Sequence, residues 1–368
     1  MPGAELRLAS PDLPPNTAVR LAELTTMRMG GVLPQFVDCT TEDQLIAAVA
    51  VADQSGDRLL MLGGGSNIVA LSRIKNLLAV RDRRGWAEVR YSGGRALLTV
   101  AAGASWDAVV AWSVEQNWSA LAPLSGIPGS AGALPVQNAG AYGAAAQDVI
   151  RRVKAFDRLT GEVVMLDLAD LALGYRDSAL KRSIARFGGL TPRWVVLDVT
   201  LDVGPEPGSS KDDAAVPVTY SQLADVLGVP LGTRLPGSPV RQAVLRIRRS
   251  KGMLLDPSDR DTWSVGSYFT NPVVSPEQAA SLPPEAPRFE EAGQVKLSAA
   301  WLMTQVGIGC GWGIGANPVV TTSTKHVLAL TNRGGGSAAD VLLLEQVIVG
   351  MVHDRFGIQL TREPVLVG

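Results

Sequence analysis

The chain has 368 residues, of which 46% are hydrophobic and 19% charged, enough for a sizeable core in two or three domains and unlike a disordered chain. Lys and Arg (34) nearly cancel Asp and Glu (35), which excludes a general electrostatic attraction to nucleic acid or to an anionic membrane surface. Two cysteines far apart, Cys39 and Cys310, exclude a disulfide framework and a cysteine zinc site, and they suit a reducing cytoplasm.

The opening stretch, MPGAELRLASPDLPP, lacks the basic start and apolar core of a secretory signal, so a soluble cytoplasmic protein is expected. Residues 40–56, TTEDQLIAAVAVADQSG, combine a Thr cap, an acidic first turn, helical apolar spacing and a closing glycine, which predicts a helix. DRLLMLGGGSNIVAL follows as a short buried strand running into a glycine loop. Strands are then expected in ALLTVAAG and RWVVLDVTLDVG, a hairpin in RRVKAFDRLTGEVVMLDL, and one helix in ASWDAVVAWSVEQN. Residues 204–217, GPEPGSSKDDAAVP, carry Pro, Gly and charge without periodicity and read as a boundary or exposed loop. Beyond them, helices are expected in SPVRQAVLRIRRSKG, KLSAAWLMTQVG and SAADVLLLEQVIVGMVHDRFG, with the strand HVLALTN between the last two. The last helix is interrupted by Glu345 and Gln346, and reads as an amphipathic helix end-on to a core rather than a membrane span. The class is α+β with mixed sheets.

Two loops are dense in glycine. GGGSN (Gly63, Gly64, Gly65, Ser66, Asn67) follows a strand, where consecutive backbone N–H groups can nest phosphate oxygens, although a lone glycine triplet more often marks a turn. It is neither a Walker A loop nor GxGxxG. SGIPGSAGALPVQNAGAYG, residues 125–143, is harder to read as a turn, and suits a backbone wrapped around a long, flat ligand containing a diphosphate. FAD fits both loops. In LGYRDSALKR, Arg176 stands beside Tyr175 and Asp177, an arrangement suited to a carboxylate or phosphate, or else to a surface ion pair. Ser267, in WSVGSYFTNPVV, is not in a GxSxG elbow and has no nearby His, so it is a turn or cap residue or a proton donor held by its surroundings. Glu363, in the terminal LTREPVLVG, is flanked by Pro364 and an apolar run and is expected to be partly buried. His326 and His353 read as surface or capping residues, no metal is expected, and the basic runs RDRRG and RIRRSKG read as solvated faces, the second also able to meet a diphosphate.

Together, GGGSN, SGIPGSAGALPVQNAGAYG, GYRDS, GSYFTNP, KLSAAWL and the terminal EPVLVG resemble the UDP-N-acetylenolpyruvoylglucosamine reductase (MurB) family, over nearly the whole chain. The segment VTYSQL places the resemblance with the longer family type, which closes a Tyr-bearing loop over its substrate. The resemblance implies an FAD-binding two-domain module of the vanillyl-alcohol oxidase (PCMH) type plus a third α/β substrate-binding domain. The boundaries are then 16–85 and 86–215 for the two FAD subdomains, 216–360 for the substrate domain, and 361–368 for a C-terminal segment bearing the active-site Glu.

It further implies an NADPH-dependent flavoenzyme, a UDP-N-acetylmuramate dehydrogenase, that reduces UDP-N-acetylglucosamine enolpyruvate to UDP-N-acetylmuramate for peptidoglycan precursors. Hydride passes from flavin N5 to C3. Ser267 then gives a proton to C2, while Arg176 and a protonated Glu363 stabilise the enolate. Gly63, Gly64, Gly65, Ser66 and Asn67 would contact FAD. So would Ser125, Gly126, Ile127, Pro128, Gly129, Gly132 and Ala133, and beyond them Asn138, Gly140, Ala141, Tyr142 and Gly143. Tyr175, Tyr220, Lys251 and Asn271 would contact the sugar nucleotide. A monomer is the expected state. Phe289 stands where some members have Tyr, and GCGWGIGANP lacks a Gln found in some members, which implies altered substrate affinity at most. An alcohol oxidase on the same scaffold, or a nucleotide-sugar-binding module without catalysis, has no use for Ser267, Arg176 and Glu363 as a set.

Overall fold

A computed structural model describes residues 18–205 and 215–368. The opening leader and most of the Pro- and charge-rich stretch 204–217 lie outside the described residues. The chain divides into two compact units. Leu33–Gly64 and Lys75–Arg249 make the body of the first, and Val19–Val32, Gly65–Ile74 and Ser250–Gly368 make the second.

In the first unit, the predicted helix forms at Glu42–Ser55, where the Thr41 hydroxyl accepts from the Gln44 N–H and Gly56 adopts φ 73°. Its Leu45, Val49 and Ala52 pack on Leu59, Leu78 and Val80 of a parallel sheet. In that sheet Leu77–Asp82 lies between Gln35–Cys39 and Arg58–Met61. The predicted hairpin, Ile150–Asp157 with Glu162–Asp167, extends into a five-stranded antiparallel sheet through Trp194–Pro205, Arg95–Ala101 and Ala87–Ser92. One face of that sheet packs on Trp106, Val109 and Val110 of the helix Trp106–Glu115. The helix Gly237–Ser250 buries Val240, Val244 and Ile247 with Val218 and Leu223.

The two basic runs are not solvated faces throughout. Arg81 and Arg84 are 7% and 6% exposed. Arg81 holds Asp38 bidentately at 2.6 and 2.7 Å, and Arg84 bonds Asp82, Glu42 and the Leu197 carbonyl. Removing a guanidinium from water requires such complete pairing. In the second run Arg246 and Arg249 are exposed as expected, but Arg248 is buried.

In the second unit, Ser264–Ser267, Ala329–Asn332 and Val320–Thr322 form one antiparallel sheet, and Val273–Val274, Gln294–Leu297 and Arg288–Glu291 form another. Ile68–Ala70, just beyond the glycine triplet, pairs in parallel with Val365–Val367 at the end of the chain. The helix Ala299–Gln305 starts at a Ser298 cap. The helix Ala338–Phe356 starts at a capping box in which Ser337 and Asp340 bond reciprocally. Its Val341, Leu344, Ile348 and Val352 are all buried, so it lies lengthwise on the core rather than end-on. No described helix is long and apolar enough to cross a membrane.

Candidate active site

Glycine lets the two loops close on one another. A Cβ on Gly64 would stand 2.8 Å from the Cα of Gly129, one on Gly63 would stand 2.8 Å from the Ser130 hydroxyl, and one on Gly132 would stand 2.6 Å from the Ala102 Cβ. The Gly132 and Ala131 N–H groups bond to Ala102 and Ala104, and the Gly129 carbonyl accepts from Trp106. Among the described residues, the amides of Gly63 and Gly64 donate no backbone hydrogen bond within the protein. Adjacent unbonded amides on glycine are donors that a phosphate oxygen can use. Gly126, at φ 69°, donates its N–H to Asp107 at 2.6 Å, and Arg241 grips the same carboxylate at 2.6 and 2.9 Å. Burial works to raise the Asp107 carboxyl, but these bonds outweigh it and hold it below the usual carboxylate range. The Ser125 hydroxyl turns inward to the Ala122 carbonyl at 2.6 Å. Ile127 and Ala141 are half-buried, and Pro128 and Ala133 are exposed.

Arg176 sits at φ 51° on a tight turn closed by reciprocal backbone bonds between Gly174 and Asp177. A left-handed arginine is strained, and needs its surroundings to hold it. Asn138 donates to the Gly174 carbonyl at 2.7 Å, and Lys181 donates to the Arg176 carbonyl at 2.8 Å. The Arg176 guanidinium donates to the Gly140 carbonyl at 3.2 Å, and Tyr175 lies 6.0 Å from it by ring centroid. The turn is thus fastened to the second glycine loop. Tyr142 of that loop meets Tyr220 edge to face at 5.6 Å, and Thr219 donates to the Gly143 carbonyl. Burial raises the Tyr142 hydroxyl, to which Arg248 bonds.

Ser267 and Glu363 come together in the second unit. Ser267 pairs with Ala329 in its ladder, and the next carbonyl, that of Tyr268, accepts the Glu363 N–H at 2.8 Å. Phe269 bridges to Arg362, and Asn67 donates to the Glu363 carbonyl at 3.4 Å. Both candidate residues are half-buried. Asn271 accepts from the N–H of Ala299, the first residue of its helix, at 3.0 Å. His326 is not a surface residue. It is half-buried, and burial, helped by Lys251, brings its pKa down to about 4. His353 is exposed. The supporting roles of Asp107, Arg241 and Lys181 were not readable in advance, because each partner lies far off in sequence or is a backbone atom.

The chain is an α+β protein in which two glycine loops pack backbone against backbone. Residues 34–167 match the family model described as an FAD binding domain. Residues 256–367 match the model of the UDP-N-acetylenolpyruvoylglucosamine reductase C-terminal domain. The chain is 46% identical over 354 residues to the UDP-N-acetylenolpyruvoylglucosamine reductase of Mycolicibacterium gilvum, covering 95% of each. It is 42% identical over 363 residues to that of Mycobacterium tuberculosis, again covering 95% of each. The crystal structure of the reductase from Thermus caldophilus superposes with a TM-score of 0.61 at 22% identity, over 95% of this chain and 98% of that one, and so shares its fold. The chain belongs to the UDP-N-acetylenolpyruvoylglucosamine reductase family.

Proposed function

We propose that this protein carries out the reaction its relatives' name denotes, reducing UDP-N-acetylglucosamine enolpyruvate to UDP-N-acetylmuramate with NADPH. The observation that supports the proposal is the backbone bond from Glu363 to Tyr268, the residue after Ser267, which pairs the two segments carrying the proposed proton donor and the assisting carboxyl.

The residues present fit FAD, since the Gly63 and Gly64 amides have no backbone partner among the described residues and added Cβ atoms would block the approach of the two loops. Gly63 and Gly64 would offer it their amides, with Gly65, Ser66, Asn67, Ser125, Gly126, Ile127, Pro128, Gly129, Gly132, Ala133, Asn138, Gly140, Ala141, Tyr142 and Gly143 around it. FAD held there would supply the hydride chemistry that links NADPH to C3 of the enolpyruvyl group. Addition at C3 leaves an electron pair at C2, delocalised into the neighbouring carboxylate. Arg176 would bind that carboxylate and Glu363 would assist it, opposing the charge that develops there. The Ser267 hydroxyl gives its proton to C2, and solvent reprotonates the serine. A serine hydroxyl is a weak acid, so this transfer works only towards a strongly basic carbon shielded from water. Tyr175, Tyr220, Lys251 and Asn271 position the sugar nucleotide.

In this reading residues 16–85 and 86–215 serve the flavin, 216–360 the sugar nucleotide, and 361–368 deliver Glu363. These are functional parts, distinct from the compact units of the chain. The protein acts in the cytoplasm as a monomer.

The test is anaerobic NADPH oxidation by the purified protein, with and without UDP-N-acetylglucosamine enolpyruvate. Continuous oxidation only when the sugar nucleotide is present is the expected result. A flavin that NADPH reduces and this substrate never reoxidises would refute the assignment.

A further inference from the structure

We propose that Glu345, on the helix Ala338–Phe356, is a positioning residue that holds Ser267 and Glu363 in register through Tyr268 and Arg362. This rests on the reaction proposed above. Tyr268 is fully buried and donates its hydroxyl to Glu345 Oε2 at 2.7 Å. Arg362 Nη1 donates to the same oxygen at 3.2 Å. Tyr268 follows Ser267 in the chain, and Arg362 precedes Glu363. The Glu363 N–H returns to the Tyr268 carbonyl at 2.8 Å, which closes a ring of covalent and hydrogen bonds with both proposed catalytic residues on its edge.

The ring is anchored on several sides. The Tyr268 N–H donates to the Leu328 carbonyl at 2.8 Å, so every polar group of that residue is engaged. Glu345 is held between Leu344, 1% exposed, and a turn ending at Ile348, 0% exposed, on a helix whose first turn is capped. Burial first, and the Glu345 carboxylate second, raise the Tyr268 hydroxyl well above its ordinary value, so it stays a donor across the working pH range. One carboxylate oxygen therefore joins the two short segments that carry the proton donor and the assisting carboxyl. A core need not place a carboxylate here. An apolar side chain at position 345 would pack against Tyr268 equally well, and the phenol would then be an unsatisfied buried donor.

Proton transfer is sensitive to donor placement, whereas reduction of the flavin by NADPH makes no use of Ser267 in this reading. The half-reactions therefore separate positioning from folding. Tyr268→Phe removes one oxygen from the ring and keeps the volume of the core, and Glu345→Gln keeps an acceptor but drops the charge that Arg362 pairs with. In the flavin-loaded variants we expect reduction by NADPH within about twofold of wild type, and reoxidation by UDP-N-acetylglucosamine enolpyruvate slowed about ten- to a hundredfold. The double variant should be little slower than either single one, because each opens the same ring.

A Tyr268→Phe protein that melts like wild type and reoxidises at the wild-type rate overturns the proposal. So does a parallel fall of both half-reactions, which marks a structural role only. Should Glu345→Gln fail to fold, Tyr268→Phe alone carries the test. If wild-type flavin itself is not reoxidised by the sugar nucleotide, the underlying reaction is wrong, an outcome separate from an unchanged variant in an active background.

Discussion

Replacing Asp198 by Asn should stabilise the protein at neutral pH, by an amount that grows as pH rises. Asp198 lies in the strand Trp194–Pro205 and is 6% exposed. Burial pushes its pKa from the ordinary 3.8 up to about 6, with Glu42 adding to the shift, while Lys154, Arg84 and Arg152 pull down without overcoming it. Lys154 and Arg84 are themselves engaged with Glu42 and Asp82, which explains why they leave Asp198 undercompensated. The folded state thus binds the Asp198 proton more tightly than the unfolded chain does. Stability falls as pH rises through the unfolded pKa, and the loss is complete above the folded one. A difference of about two pKa units corresponds to about 3 kcal/mol. Asn is close in shape and does not titrate. The stability gap between mutant and wild type, from denaturant unfolding, should therefore widen by about 2 kcal/mol between about pH 4.5 and about pH 8. A gap that stays constant, or narrows with rising pH, would show that Asp198 is ionised and paired in the fold, and would refute the argument.

Gly64→Ala sets a Cβ 2.8 Å from the Gly129 backbone, which cannot rotate away. The loops must part, at about 1–3 kcal/mol, and the purified protein should carry less flavin by absorbance; a full complement would mean that the loops yield freely. Ser267→Ala should leave flavin reduction by NADPH near the wild-type rate while reoxidation by the enolpyruvyl substrate drops about 10²- to 10⁴-fold, and equal losses in both would reduce Ser267 to a structural role. Ser337→Ala removes the hydroxyl that accepts from Asp340 N–H at 3.3 Å, and should cost about 1 kcal/mol in thermal or denaturant unfolding.

What could be read from the sequence was local. The helix Glu42–Ser55 is specified by Thr41, its acidic first turn and Gly56, all within the reach of its own hydrogen bonds. The hairpin around Gly161 and the capped start of the helix Ala338–Phe356 are written over equally short distances. The glycine density of 63–65 and 125–143 was legible as a demand for close backbone approach, since no other residue serves that purpose. Solvation was not legible. Arg81 and Arg84 looked like members of an exposed basic run until Asp38 and Glu42, about forty residues away, took up their charges. His326 looked like a surface residue and is half-buried, and Glu345 looked like an interruption in an apolar helix and accepts two bonds from Tyr268 and Arg362. The parallel pairing of Val365–Val367 with Ile68–Ala70 joins segments almost 300 residues apart, and the backbone bond from Glu363 to Tyr268 joins segments almost a hundred residues apart. A side chain's chemistry is a property of its type. Whether water or a distant partner satisfies it is decided by the assembled fold.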